Sequence, residues 1–236
     1  MDLLDRARER SWYHTLELAP GHVTSGMFDL RPHVHEYGLP ARLDGKRCLD
    51  VGTWDGFWAF EMERRGAADV VALDLDDERE LDWPPRRRPA GTSGERRGDG
   101  FALAREIYGS SVERVSVSIY DALPDELGKF DVVICGSVLM HLRDQLLALE
   151  RIAGLCDGLF ISAEEYDRLA GFVPFPVARY RADRDKDVIF WQPSARTWRR
   201  MMWTAGFDRV ERRAKFKLKS PLGFSVRHVV HHAFKR

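Results

Sequence analysis

Arg47 to Gly66 reads RCLDVGTWDGFWAFEMERRG, and Asp69 to Asp77 follows with DVVALDLDD. The first stretch opens on a short apolar run ending at Gly52, the pattern of a parallel strand buried on both faces. Helical spacing follows, with Phe57, Phe60 and Met62 available to pack and Gly66 as the stop. The second stretch is another apolar strand, closed by acid. The turn between the first strand and its helix is Asp50-Val51-Gly52-Thr53-Trp54-Asp55-Gly56. Its two glycines are spaced G-x-x-x-G, which lacks the third glycine of the G-x-G-x-x-G cradle for a pyrophosphate. Asp74 ends the second strand, 22 residues after Gly52. A carboxylate at that place can accept hydrogen bonds from both hydroxyls of a ribose. The pair therefore points to an adenosine ligand without phosphates.

Outward from this centre the alternation continues. Residues 101–109 read as helix, Val115 to Tyr120 as a third strand, FDVVICGS (130–137) as a fourth, residues 142–156 as an amphipathic helix, and GLFISAEEY (158–166) as a fifth strand. SARTWRRMMWTAGF (194–207) reads as a helix with Ser194 as N-cap and Gly206 at its end. DRVERRAKFKLK and FSVRHVVHHAFKR, joined by SPLG, read as a hairpin. Five strand–helix steps and a hairpin predict an α/β fold: a doubly wound, Rossmann-like seven-stranded sheet with an antiparallel terminal hairpin. Residues 1–44 form a helical N-terminal lid on a domain spanning 45–236, with insertions near 82–100 and 167–193. The first insertion, from Trp83 to Gly100, holds three prolines, four glycines and five arginines, a surface loop in composition.

Length and charge narrow the function. A chain of 236 residues with 44% hydrophobic content can bury a full core without disulfide or metal. Lys plus Arg (37) equals Asp plus Glu (37), which argues against gripping a phosphate backbone as the main task. Cys48, Cys135 and Cys156 lie in apolar runs without C-x-x-C spacing and read as core thiols of a reducing compartment. No apolar run approaches the ~20 residues of a membrane span. The expectation is a cytoplasmic protein without a membrane partner, acting on a small molecule.

These residues resemble the class I S-adenosylmethionine (SAM)-dependent methyltransferases over roughly residues 45–236. The resemblance implies SAM as cofactor. It implies that Asp50, Gly52, Thr53, Trp54 and Gly56 form its methionine loop, that Asp74 binds the ribose, that Tyr120 and Asp121 flank the adenine, and that Gly136 and Ser137 lie beside the sulfonium. Trp54-Asp55 stands where the commonest family loop has a small pair, and the indole could narrow the pocket or offer a π-face to a cation. SWYHTLELAPGHVTSG (11–26), SVLMHLRD (137–144) and the stretch 177–207 resemble the subfamily of tRNA wobble-uridine (5-hydroxyuridine) methyl- and carboxymethyl-transferases. A carboxymethyl donor would need a positioned cation. No lysine precedes Lys46, leaving Arg31 or Arg179 for that task, so plain methyl transfer is favoured.

For an alcohol acceptor, a base near neutrality helps remove the proton. His141, just past the fourth strand, is the leading candidate base. Glu164 and Glu165 close the fifth strand on the same edge, as base, sugar-orienting groups or magnesium ligands. Adjacent strand residues point to opposite faces, so the metal reading is weak, and no metal site is expected. Tyr13 and His14 in the lid, and Tyr180 and Trp191 in the second insertion, are candidate acceptor contacts. The expected reaction is methyl transfer from SAM to a hydroxyl of a small molecule, a sugar or specialised metabolite. Modification of a tRNA wobble uridine, or SAM binding without turnover, are the alternatives. The arginines at 86, 87, 88, 96 and 97 read as a solvated loop face or as an attractor for a phosphate-bearing acceptor.

Overall fold

The computed structural model describes residues 2–88, 96–183 and 188–235. Parts of both sequence-predicted insertions, 89–95 and 184–187, lie outside the described residues. The main sheet has seven strands: β1 (Arg47–Val51), β2 (Asp69–Asp74), β3 (Glu113–Ser116), β4 (Phe130–Gly136), β5 (Cys156–Glu165), β6 (Arg209–Lys219) and β7 (Ser225–Phe234). Their order is β6-β7-β5-β4-β1-β2-β3. The five strands β1 to β5 are parallel, and β7 runs antiparallel to both β5 and β6. The chain reverses direction of travel across the sheet between β1 and β4, and there the carboxyl ends of the strands open a crevice.

Alternation along β1 divides the core. Cys48 faces a cluster built with Trp58, Ala59 and Met62 of helix α2 (Phe57–Arg64), while Leu49 and Val51 face Leu149, Ile152 and Trp198 on the other side. Helix α3 (Asp99–Tyr108) packs on the first face through Phe101 and Ala104. Helices α4 (Gln145–Leu155) and α5 (Ala195–Thr204) cover the second. Both of these start on side-chain caps: Asp144 accepts from Leu147 N at 3.0 Å, and Ser194 from Thr197 N at 3.2 Å.

Two expectations need correction. The third strand occupies Glu113–Ser116, not Val115 to Tyr120; the chain turns away after Ser116, and Asp121 N bonds Ser118 O at 2.9 Å. Among its described residues the N-terminal flank is helical only at α1 (Leu3–Glu9) and at a 3-10 turn, Arg31–His33, that runs into the short helical turn Val34–Tyr37. Between them Trp12–His14 pairs in parallel with Gly26–Phe28, and Leu16, Leu18 and Leu30 join the core of the first face. His231 of the terminal hairpin is buried, because the last strand is inserted between β5 and β6. The three cysteines are all buried. Among the described residues no helix is long and apolar enough to cross a membrane.

Candidate active site

Chain geometry at the end of β1 sets the site. Gly52 and Thr53 donate their backbone N–H groups to Leu73 O, at 2.7 and 3.2 Å, which draws the turn across the end of β2. Gly52 has φ +77°, and a Cβ there would collide with the Val138 side chain. Gly56 has φ +91°, with Phe60 and Phe101 filling the space a Cβ would need. Both positions demand glycine. Among the described residues two non-glycine residues share the left-handed region, Trp54 (φ 47°) and Ser137 (φ 57°). Both line the same cavity, where such strain is commonly stored.

Asp50 is a brace. Its Oδ2 accepts from Thr53 Oγ1 at 2.7 Å and from Ala59 N at 3.1 Å, so it ties the loop to the first turn of α2. Burial pushes its carboxyl up to about 7 against the pull of these bonds. Asp55 is a second brace. Its Oδ2 accepts from Tyr13 N at 2.7 Å and His14 N at 3.0 Å, which pins the N-terminal flank to the glycine turn. Burial raises its carboxyl as well.

Asp74 lies where the turn and β2 meet. Its Oδ2 accepts from Trp54 N and its Oδ1 from Leu75 N, both at 2.8 Å, with Arg97 Nη2 3.5 Å from Oδ1. The Arg97 guanidinium also sits 3.8 Å from the centroid of the Trp54 ring. Tyr13 stacks on that ring at 4.3 Å and 19°. The cation that the Trp54 face invites is thus supplied by the protein. Burial, then Glu165, holds the Tyr13 phenol well above its ordinary value, so it stays protonated.

Tyr120 gives its hydroxyl to Asp82 Oδ2 and accepts from Asp144 N, both at 2.9 Å. Ser137 Oγ and His228 Nε2 share a hydrogen bond of 2.7 Å. Burial pushes His228 down to about 4. The Nδ1 of His141 meets the carbonyl of Val188. A carbonyl only accepts, so Nδ1 carries the proton and the basic lone pair belongs to Nε2. Glu164 is 1% exposed. Its Oε1 accepts from Val138 N at 3.2 Å and Leu139 N at 3.3 Å, and burial pushes it up to about 8. It shapes the loop that carries Ser137 and His141.

One cavity of about 480 Å³ collects most of these groups. Gly52, Trp54, Asp74, Tyr120, Gly136, Ser137 and His141 line it together with Tyr13 and His14. A narrow adjoining space of about 20 Å³ is lined by Asp50 and Thr53. Gly56, Asp121, Glu164, Glu165, Tyr180 and Trp191 line neither. Asp121 is exposed beyond the turn. Tyr180 and Trp191 face each other at 4.9 Å on an exposed two-stranded ribbon, Ala178–Tyr180 against Trp191–Pro193. Gln192 of that ribbon donates to Glu165 at 3.4 Å. Arg31 and Arg179 are spent on Asp29 and Asp167, at 2.8 and 3.0 Å, so neither offers a cation to the cavity. Sequence reading missed Asp82, and it gave Arg97 no role beyond its charged loop; both line the cavity from the first insertion. Among the described residues no three His, Cys, Asp or Glu are grouped to hold a metal ion.

Residues 26–212 match a family model described as a methyltransferase domain. Among solved structures, the N-terminal domain of EvdMO1 with SAH bound superposes with a TM-score of 0.72 at 17% identity, covering 100% of this chain and 98% of that one. The same domain in the presence of SAH and D-fucose gives 0.66 at 17% identity, with coverage of 100% and 98%. The Burkholderia thailandensis 1,6-didemethyltoxoflavin-N1-methyltransferase gives 0.54 at 16% identity, with coverage of 81% and 72%. At these identities the likeness is one of fold. A search of curated proteins gives no match.

Proposed function

From the premise that this chain belongs to the methyltransferase domain family, we propose that it transfers the methyl group of SAM to a hydroxyl oxygen of a small molecule, a sugar or sugar-like metabolite. The observation that carries the reading is a single cavity lined at once by the Gly52 turn, by Asp74 and by His141. The residues fit the cofactor. Gly52 lines the cavity with backbone alone, which suits close approach of an aminoacyl tail, and the Asp74 carboxylate at the end of β2 suits ribose hydroxyls. SAM supplies an activated methyl group on a positively charged sulfur.

The protein's own part is alignment and proton removal. The Asp50 and Asp55 braces hold the turn and flank in register. His141 Nε2 takes the proton that the acceptor hydroxyl loses as its oxygen gains the methyl group. The neighbouring structure obtained in the presence of SAH and D-fucose supports a sugar-like acceptor. The equality of basic and acidic residues favours a small acceptor over tRNA. Incubation with methyl-labelled SAM and a panel of sugars and other alcohols tests the reading. Label in an ether product is expected. Label found only on nitrogen or carbon acceptors would overturn it.

A further inference from the structure

A second cavity, of about 560 Å³, shares no lining residue with the first among the described residues. It lies where α5, the β6–β7 hairpin and the segment after β5 meet. Five cations line it: Arg168, Arg196, Arg199, Arg212 and Lys215. Among the described residues that line it, none is acidic. Among the described residues, none of the five forms an ion pair with a carboxylate. Arg196 instead donates to Pro174 O, and Lys215 Nζ stands 4.7 Å from the centroid of the Tyr166 ring.

The backbone is arranged to gather these charges. Arg212 and Lys215 are three apart on β6, and a regular strand would turn them to opposite faces. The register shifts between Arg212 and Ala214, and this bulge re-aims one of them so that both line the cavity. Arg196 and Arg199 stand one turn apart on α5. His231, paired with Arg212 across the hairpin, also lines the cavity. It is 1% exposed and its Nδ1 has no hydrogen-bond partner. Burial first, then the nearby Arg199, Arg212 and Lys215, pushes its imidazole down to about 4. The Phe172 side chain, 81% exposed, stands at the same cavity.

We propose that this cavity is a binding site for a diphosphate group, carried by a nucleotide or free in solution. Unpaired guanidinium forks match phosphate oxygens two at a time. The concave shape suits a compact anion, while an extended nucleic-acid strand would need a charged track. Phe172 is placed to stack on a base. The proposal is independent of methyl transfer.

Titration calorimetry of the full chain at low ionic strength, with inorganic diphosphate and with ADP as probes, tests it. One-to-one saturable binding is expected. Arg199→Ala with Arg212→Ala should weaken it ~30-fold or more, with thermal melting unchanged; the single Arg199→Gln, on an exposed helix face, should weaken it ~10-fold. If ADP binds more tightly than diphosphate and Phe172→Ala removes the gain, the ligand is a nucleotide; equal affinities identify the free anion, and either supports the site. Absence of saturable binding, affinity unchanged in the double variant, or binding of duplex RNA that diphosphate does not displace would overturn the proposal.

Discussion

At His141 the ring is oriented by the Val188 carbonyl, which leaves Nε2 as the basic atom. His141→Ala is expected to lower kcat by ~10²–10⁴-fold. Calorimetric affinity for S-adenosylhomocysteine should be unchanged; affinity falling in step with kcat would make the ring a cofactor contact instead. Asp74→Ala should do the reverse. It removes the acceptor for Trp54 N and Leu75 N along with the ribose carboxylate, and should weaken the same ligand by ~10–100-fold. The place of Gly52, Asp74 and His141 at the cavity was legible in the sequence because each ends, or follows within a few residues, a strand with a plain apolar pattern. Arg97 and Asp82 were not. They reach the cavity from a loop rich in proline and arginine, and no periodicity says where such a loop folds back. Glu164 misled for a different reason. Its place at a strand end is correct, but pleat alternation turned its carboxylate under the loop rather than into the cavity.

Among the elements, the N-terminal flank depends on one carboxylate. Asp55→Ala leaves the N–H groups of Tyr13 and His14 without their acceptor. We expect a loss of ~2–3 kcal/mol in urea unfolding, with early proteolytic cutting before Lys46 as the signature of a released flank. Ser194→Ala removes the cap of α5 and should cost ~1 kcal/mol; a change confined to ~0.2 kcal/mol would show that packing of the buried Trp198 alone holds the helix. Apart from the third strand, the sheet strands were readable as apolar runs or alternation, and the long helices from their 3.6-residue spacing. The short ribbons at Trp12–His14 and Ala178–Tyr180 were not, since three residues are too few to show alternation.

Across the whole molecule, buried titratable groups set the pH response. Burial holds His14, His228 and His231 down at about 3, 4 and 4. Each gains a proton on unfolding, so stability falls as pH drops below the ordinary histidine value of ~6.5. Asp50 and Glu164 are raised to about 7 and about 8. Each loses a proton on unfolding, so their contribution falls as pH rises from ~4 through those values. Counting His232, which burial also lowers, and Asp55, which burial also raises, four histidines stand against three carboxyls below ~6.5, and the carboxyls alone act above it, which places the stability maximum at about pH 6–7. Thermal melting from acid to alkaline pH checks this; a melting temperature still climbing above ~pH 8 would contradict it. Glu164→Gln should flatten the alkaline side. The doubly wound seven-stranded sheet with its antiparallel hairpin was legible because strand–helix alternation admits few topologies; the strand order itself, with β7 inside β6, came from the structure. The second cavity was not legible either, since it arises from a one-residue bulge on β6 that no pattern announces. The interior position of β7 also governs how the protein tolerates shortening. Removing residues 225–235 would not trim a margin: β5 would lose its antiparallel neighbour and β6 its only attachment to the sheet, leaving a raw backbone ladder open to self-association. Shortened versions should therefore fail abruptly and precipitate, rather than decline by degrees.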